Sequence, residues 1–210
     1  LTSTLKIETV CKSALCPNRA ECWSRKIATF LLLGNTCTRK CRFCAVKKGK
    51  PSSPDPLEKE KILQTIETLQ IKYIVLTMVT RDDLPDGGAS HISEIVKYIK
   101  GKYPEKKIEV LVSDFEGNND SIKKVLDSQP DVFSHNIETV ERLCKKVRDP
   151  KCSYTLSLKV LETVNKSSPY TIVKSGFMVG LGETEEEILY TLKDLKEVGC
   201  KIVTIGQYLQ

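Results

Sequence analysis

The sequence is poor in histidine, methionine and aromatic side chains. In 210 residues it has two histidines, two methionines and one tryptophan, and aromatics amount to 6%. With two histidines, a zinc site built on imidazole has little to draw on. Scarce aromatics, with no accompanying nucleic-acid motif, remove the stacking platforms that would turn a basic surface into a nucleic-acid site. No long apolar run exists. The longest, residues 28–33, is interrupted by Thr29 and is far too short to cross a bilayer. No secretory leader is visible, and no low-complexity tract. The chain opens on Leu1 rather than Met, so a true N-terminus further upstream is expected.

What is present is ordinary in bulk and uneven in detail. Hydrophobic residues make up 40% and charged residues 29%, as in a soluble globular protein. The length suits one domain with a small appendage and allows a real core without disulfides. The net charge of +6 is concentrated. Residues 1–44 hold eight Lys or Arg against two acids, and the rest balances at 25 of each. A solvated basic face accounts for this, as do cations that offset several thiolates and an anionic metal cluster.

From residue 27 onward apolar runs alternate with helical patterns. Strands are expected over 27–34, 73–79, 108–113, 132–138, 171–179 and 201–209. Helices are expected over 58–70, 91–103, 121–128 with Asp120 as N-cap, 140–147, 154–165 and 185–198. Thr184 and Glu187 form a capping-box pair at the start of the last helix. A helix between each pair of strands implies a parallel sheet with right-handed crossovers, either open and doubly wound or a partial TIM-like barrel. In both, ligands gather at the C-terminal strand ends. The polar runs 35–44, 80–88, 114–119 and 180–183 sit there. Residues 1–26 lack the βα period and read as an appendage, leaving 27–210 as the main domain.

Nine cysteines without a leader argue for a reducing compartment. Six lie within residues 11–44, spaced C-x4-C-x5-C (Cys11, Cys16, Cys22) and then C-x3-C-x2-C (Cys37, Cys41, Cys44). Cys144, Cys152 and Cys200 are scattered and read as small buried or idle thiols. Structural zinc favours two C-x2-C pairs, and only Cys41 and Cys44 form one. A four-iron cluster held by three cysteines keeps one iron open for a small molecule that brings an amine and a carboxylate.

C-x3-C-x2-C with Phe43 before the last cysteine, just past the first strand of a βα fold, resembles the signature of radical S-adenosylmethionine (SAM) enzymes. The stretches CKSALCPNRAEC, ATFLLLGNTCTRKCRFCAV, TRDDLPDGGA, DVFSHNIETV, KSGFMVGLGETEEE and TIGQYLQ narrow it. Along essentially the whole chain they are similar to the lipoyl synthase family.

The resemblance implies a partial (β/α)6 TIM-like barrel with an N-terminal cluster-binding extension. It implies two [4Fe-4S] clusters and SAM. The cluster on Cys37, Cys41 and Cys44 cleaves SAM to a 5′-deoxyadenosyl radical; the auxiliary cluster on Cys11, Cys16 and Cys22 gives up sulfur. Two sulfur atoms enter at C6 and C8 of an octanoyl chain borne by a lipoyl carrier domain, such as a dehydrogenase E2 subunit or the glycine cleavage H protein. An electron donor such as ferredoxin or flavodoxin is implied, and neither nucleic acid nor membrane. The location implied is cytoplasmic, or mitochondrial or plastid for a eukaryotic source.

Asn136 and Glu138 are the candidate cofactor contacts. Asp82, Asp83, Lys174, Gly180 and Gly182 are weaker ones, and His91 and His135 read as helix and strand residues. In lipoyl synthases an Arg-Ser-Ser-Tyr type motif near the C-terminus supplies a serine to the auxiliary cluster. No such motif occurs here, so a continuation beyond Gln210 is expected. Another radical SAM enzyme with an auxiliary cluster, or a non-enzymatic metal-binding module, remains open at this point.

Overall fold

The computed structural model describes Thr9 and residues 19–209. Six strands form one sheet: β1 (Ile27–Leu32), β2 (Tyr73–Met78), β3 (Lys107–Leu111), β4 (Val132–Ser134), β5 (Ile172–Val179) and β6 (Ile202–Gln207). Every neighbouring pair is parallel and the spatial order equals the chain order. A doubly wound sheet needs a reversal of strand order. None occurs, so the sheet winds one way, as in a barrel, and β1 and β6 do not close on each other. The expected partial barrel is what the chain forms.

The crossovers are α1 (Glu58–Leu69), α2 (Ala89–Lys102), α3 (Asn119–Leu126), α4 (Glu141–Val147) with α5 (Tyr154–Ser167), and α6 (Glu185–Glu197). Each helix turns an apolar stripe inward. Ile62, Leu63 and Ile66 of α1 and Ile92, Ile95, Val96 and Ile99 of α2 are buried with Phe30, Ile74, Val110 and Phe133 of the strands. Such stripes, repeating every three to four residues, are what make these segments helical in context. Among the described residues no helix is long and apolar enough to cross a membrane.

Two expectations shift. The N-cap of α3 is Asn118, whose side chain accepts from Ser121 N at 3.1 Å, and Asp120 falls inside the first turn. Asn and Asp cap about equally well, so residue type could not decide between them. The strand expected to reach residue 138 is regular only to Ser134. Glu138 takes φ of 69°, a left-handed conformation rare outside glycine, and rejoins β5 by a single bridge to Phe177.

The capping box at α6 is present. Glu187 N donates to Thr184 Oγ1 at 3.3 Å and Thr184 N donates to Glu187 Oε2 at 2.8 Å. Arg142 of α4 adds two bonds to the Glu187 carboxylate, at 2.6 and 2.9 Å. Thr184→Ala is expected to lower stability by about 1 kcal/mol, read as a shift in urea midpoint at unchanged slope.

A candidate cluster and cofactor site at the barrel mouth

The loop after β1 crosses the C-terminal end of the sheet and is tied down from three sides. Thr38 N and Oγ1 both reach Thr80 O, past β2, at 3.1 and 3.0 Å. Arg42 N donates to Val147 O at 2.8 Å, and Lys40 N to the Asp149 carboxylate at 2.8 Å. A short ladder pairs Thr36–Cys37 with Lys47–Lys48.

The strongest tie is Arg39, which lies between Cys37 and Cys41 and is 4% exposed. Its guanidinium grips Asp82 by two bonds of 3.0 Å and Asp114 by two bonds of 2.7 Å. Burial opposes charge on Asp114, but the Arg39 hydrogen bonds and charge hold its carboxyl below the usual carboxylate range. The turn entering the loop is fixed in a similar way. Arg81, buried, pairs with Asp83 at 2.8 Å and donates to Leu33 O at 3.1 Å. Glu58 accepts from Leu33 N at 3.1 Å and bonds His91 at 2.7 Å.

Beneath the loop is a cavity with about 840 Å³ of empty space, including its part open to solvent. Its floor is made by strand ends, Leu31, Thr77, Met78 and Leu111, and its lid by Cys37, Cys41, Phe43 and Cys44. The three cysteines therefore face one space. The Arg39 N–H points at Cys37 Sγ at 3.4 Å and Asp149 N–H at Cys41 Sγ at 3.3 Å, while Val46 N–H bonds Cys44. Such N–H donors favour thiolate sulfur bound to iron. Burial pushes the Cys44 thiol up, against the Val46 N–H and the nearby Lys48 charge.

Among the described residues no three His, Cys, Asp or Glu side chains gather tightly enough for one metal ion. A cubane spreads its thiolates over separate irons and needs no such gathering. The donor set fits a cluster better than structural zinc.

Asn136 and Glu138 both line the cavity and hydrogen-bond to each other. Burial raises the Glu138 carboxyl, with Arg148 and Asn136 pulling the other way. Asp82 and Asp83 serve Arg39 and Arg81. Lys174 pairs with Glu109 at 2.9 Å inside the barrel, and the loop of Gly180 and Gly182 folds back on the Glu183 carboxylate. Neither of these last two reaches the cavity wall.

Sequence reading missed Cys152, Arg148 and His135 as parts of the wall. Cys152 was grouped with idle thiols, yet Arg39 Nη1 lies 3.2 Å from its sulfur and Cys41 hydrogen-bonds to it. That bond drives Cys152 toward the thiolate, helped by Arg148 and Arg39 against its burial. No spacing signal connects positions 41 and 152; only the fold does. Cys22 is half-buried in a short helix, Arg19–Ser24, while Cys11 and Cys16 lie outside the described residues.

The model of the radical SAM superfamily matches residues 31–205, which run from the end of β1 into β6 and include the three-cysteine loop. The lipoyl synthase of Caldanaerobacter subterraneus is 50% identical over 206 residues, 98% of this chain and 72% of that protein. That of Chlamydia felis is 53% identical over 212 residues, 99% of this chain and 68% of that protein. The chain belongs to the lipoyl synthase family of the radical SAM superfamily. Solved structures agree on the fold. Methylornithine synthase superposes with a TM-score of 0.70 at 16% identity, over 85% of this chain and 52% of that one. The FeFe-hydrogenase maturase HydG from Carboxydothermus hydrogenoformans gives 0.69 at 17%, over 86% and 44%. Membership of the radical SAM superfamily implies a [4Fe-4S] cluster and SAM.

Proposed function

We infer that this chain forms the lipoyl group on a carrier protein, inserting two sulfur atoms at C6 and C8 of a bound octanoyl chain in a SAM-dependent radical reaction. The observation that carries this is the convergence of Cys37, Cys41 and Cys44 on one cavity at the barrel mouth, in a chain about half identical to lipoyl synthases over nearly its whole length. The bound cluster and SAM supply the electron and the hydrogen-abstracting chemistry.

The chain supplies the rest. Cys37, Cys41 and Cys44 hold three irons and leave one open. Asn136 and Glu138 take the polar groups of SAM at the end of β4. Leu31, Met78 and Leu111 give the cavity an apolar floor that keeps water from the reacting carbon. Arg39 fixes the loop in place. Residues 1–26 form an extension whose Cys11, Cys16 and Cys22 hold the auxiliary, sulfur-giving cluster. The reductant is a small one-electron carrier of the ferredoxin or flavodoxin type.

Anaerobic reconstitution tests this. About eight irons per chain are expected for two cubanes, with lipoyl product from an octanoylated carrier domain. Cys11→Ala is expected to leave about four irons and to keep SAM cleavage while sulfur insertion stops. Iron content unaffected by Cys11→Ala would remove the auxiliary cluster from the scheme. Absence of thiolated product, with SAM still cleaved and both clusters present, would point to another substrate.

A further inference from the structure

Cys152 belongs to neither cysteine triplet, yet its sulfur meets one of the loop cysteines, because Cys41 hydrogen-bonds to it. The backbone builds this contact. Cys152 N donates to Asp149 O at 2.8 Å, and the N–H of the same Asp149 donates to Cys41 Sγ at 3.3 Å. The Asp149 carboxylate accepts from Lys40 N at 2.8 Å, which holds the neighbouring stretch of the loop against the same turn. One residue thus sets the position of both cysteines. From another side Arg39 Nη1 lies 3.2 Å from the Cys152 sulfur, and Arg39 is itself clamped by Asp82 and Asp114.

The two sulfurs differ in exposure. Cys152 is buried, at 7%, while Cys41 is half-buried; both line the cavity that opens to solvent. A small oxidant therefore meets Cys41 first, with Cys152 in reach behind it. An accessible thiol backed by a second one is the arrangement of a resolving pair. The other loop cysteines are held differently. Cys44 bonds the Val46 N–H and Cys37 accepts from the Arg39 N–H, contacts inside the loop itself.

We propose that Cys152 is the resolving cysteine of Cys41 in the chain before its cluster is loaded. The pair forms a reversible disulfide that keeps Cys41 from irreversible oxidation. The use of this protection rests on the reading above, that Cys41 binds iron; the pairing itself does not. The oxidant is a hydroperoxide. The Cys41 thiol and hydrogen peroxide give a sulfenic acid and water. The Cys152 thiol then attacks that sulfur, the S–O bond breaks, and the disulfide and a second water form. Two thiols lose two electrons and two protons, and the peroxide becomes two waters. A dithiol reopens the bond by exchange and returns both thiols. Without a resolving thiol the sulfenic acid goes on to sulfinic acid, which dithiols do not reverse.

The test uses the full chain freed of its clusters and treated with hydrogen peroxide. One portion is digested without reduction for mass spectrometry; another first receives dithiothreitol. The wild type is expected to give a linked Cys41–Cys152 peptide, and a free Cys41 thiol after dithiothreitol. Cys152→Ser, close in size, is expected to lose the Cys41 thiol to sulfinic acid. On reconstitution after dithiothreitol it should take up about four irons per chain fewer than the wild type treated alike.

Cys41 linked instead to Cys37 or Cys44, or recovered equally in Cys152→Ser, overturns the proposal. The wild-type peptide map needs no variant, so it decides even if Cys152→Ser folds poorly. An unoxidised wild-type chain that takes up no iron, while the linked peptide still forms on oxidation, fails the underlying reading instead, so the two failures are told apart.

Discussion

Replacing Cys41 by alanine is expected to leave about four irons per chain and SAM cleavage at background, more than about 10³-fold below wild type, the loss that follows removal of a whole catalytic unit. The middle cysteine of the loop is the informative one. Its sulfur accepts from Asp149 N–H and touches Cys152 across the cavity. With Cys41 gone, on the proposed ligand set, two thiolates would remain for three irons, and the open position that would accept SAM would no longer be unique. Cys152 stands close enough to be an unintended substitute. Cys41→Ala therefore needs Cys41→Ala/Cys152→Ala beside it, and the double variant sets the floor for residual iron. Cys152→Ala alone is expected to keep full iron, because Arg39 already occupies that sulfur and the C-x3-C-x2-C spacing excludes it. Full iron content and wild-type SAM cleavage in Cys41→Ala would withdraw Cys41 from the site. Iron analysis and quantification of 5′-deoxyadenosine decide it.

Much of this candidate site was legible in the sequence because its cysteines are local. Cys37, Cys41 and Cys44 span eight residues in one loop, so their spacing survives as text. The place of Asn136 and Glu138 in the cavity wall was legible for a similar reason: both are polar residues just past a buried strand. The strands and helices could be read from periodicity, and α6 from the Thr184 and Glu187 pair, because these signals act over a few residues. What could not be read is long-range. Arg39 finds Asp114 75 residues away, and Arg148 faces cysteines more than a hundred residues upstream. Such partners have no fixed spacing. The basic excess before residue 45 looked like a solvated face or a counter-charge to a cluster. The fold divides it: Lys40 and Arg42 are exposed, and Arg39 between them is buried against two carboxylates. The end of β4 was misjudged because a left-handed Glu138 is a decision of the surrounding packing, not of its own side chain.

Arg39→Met is the substitution expected to cost most stability, about 3–5 kcal/mol at neutral pH. Methionine fills much of the space but leaves Asp114, buried at 1% exposure, without a cation. Asp82 keeps only Lys151, at 3.5 Å. The pH dependence separates this cause from lost packing. In the wild type Asp114 is held below its ordinary range, so its contribution is complete above the unfolded-state value of ~3.9 and is lost as pH falls through the lower folded value. In the variant the Glu116 N–H, at 2.9 Å, is left as the main group opposing burial, and Asp114 rises above that range, so ionising it opposes folding at neutral pH. The deficit should therefore be largest near pH 7 and shrink toward pH 4, where the variant carboxyl takes up a proton. Urea titrations at the two pH values measure it. Arg39→Met/Asp114→Asn should recover part of the loss, as expected for residues in direct contact. A deficit below about 1 kcal/mol at pH 7, or one that does not change with pH, would mean that the clamp is not what stabilises this end of the barrel. The clamp also ties the three-cysteine loop to the barrel, because Arg39 is the residue between Cys37 and Cys41 that reaches both the loop after β2 and the loop after β3. Iron uptake during reconstitution should therefore fall in Arg39→Met even where the barrel stays folded, and recover less than stability does in the double variant, since the loop has still lost its anchor.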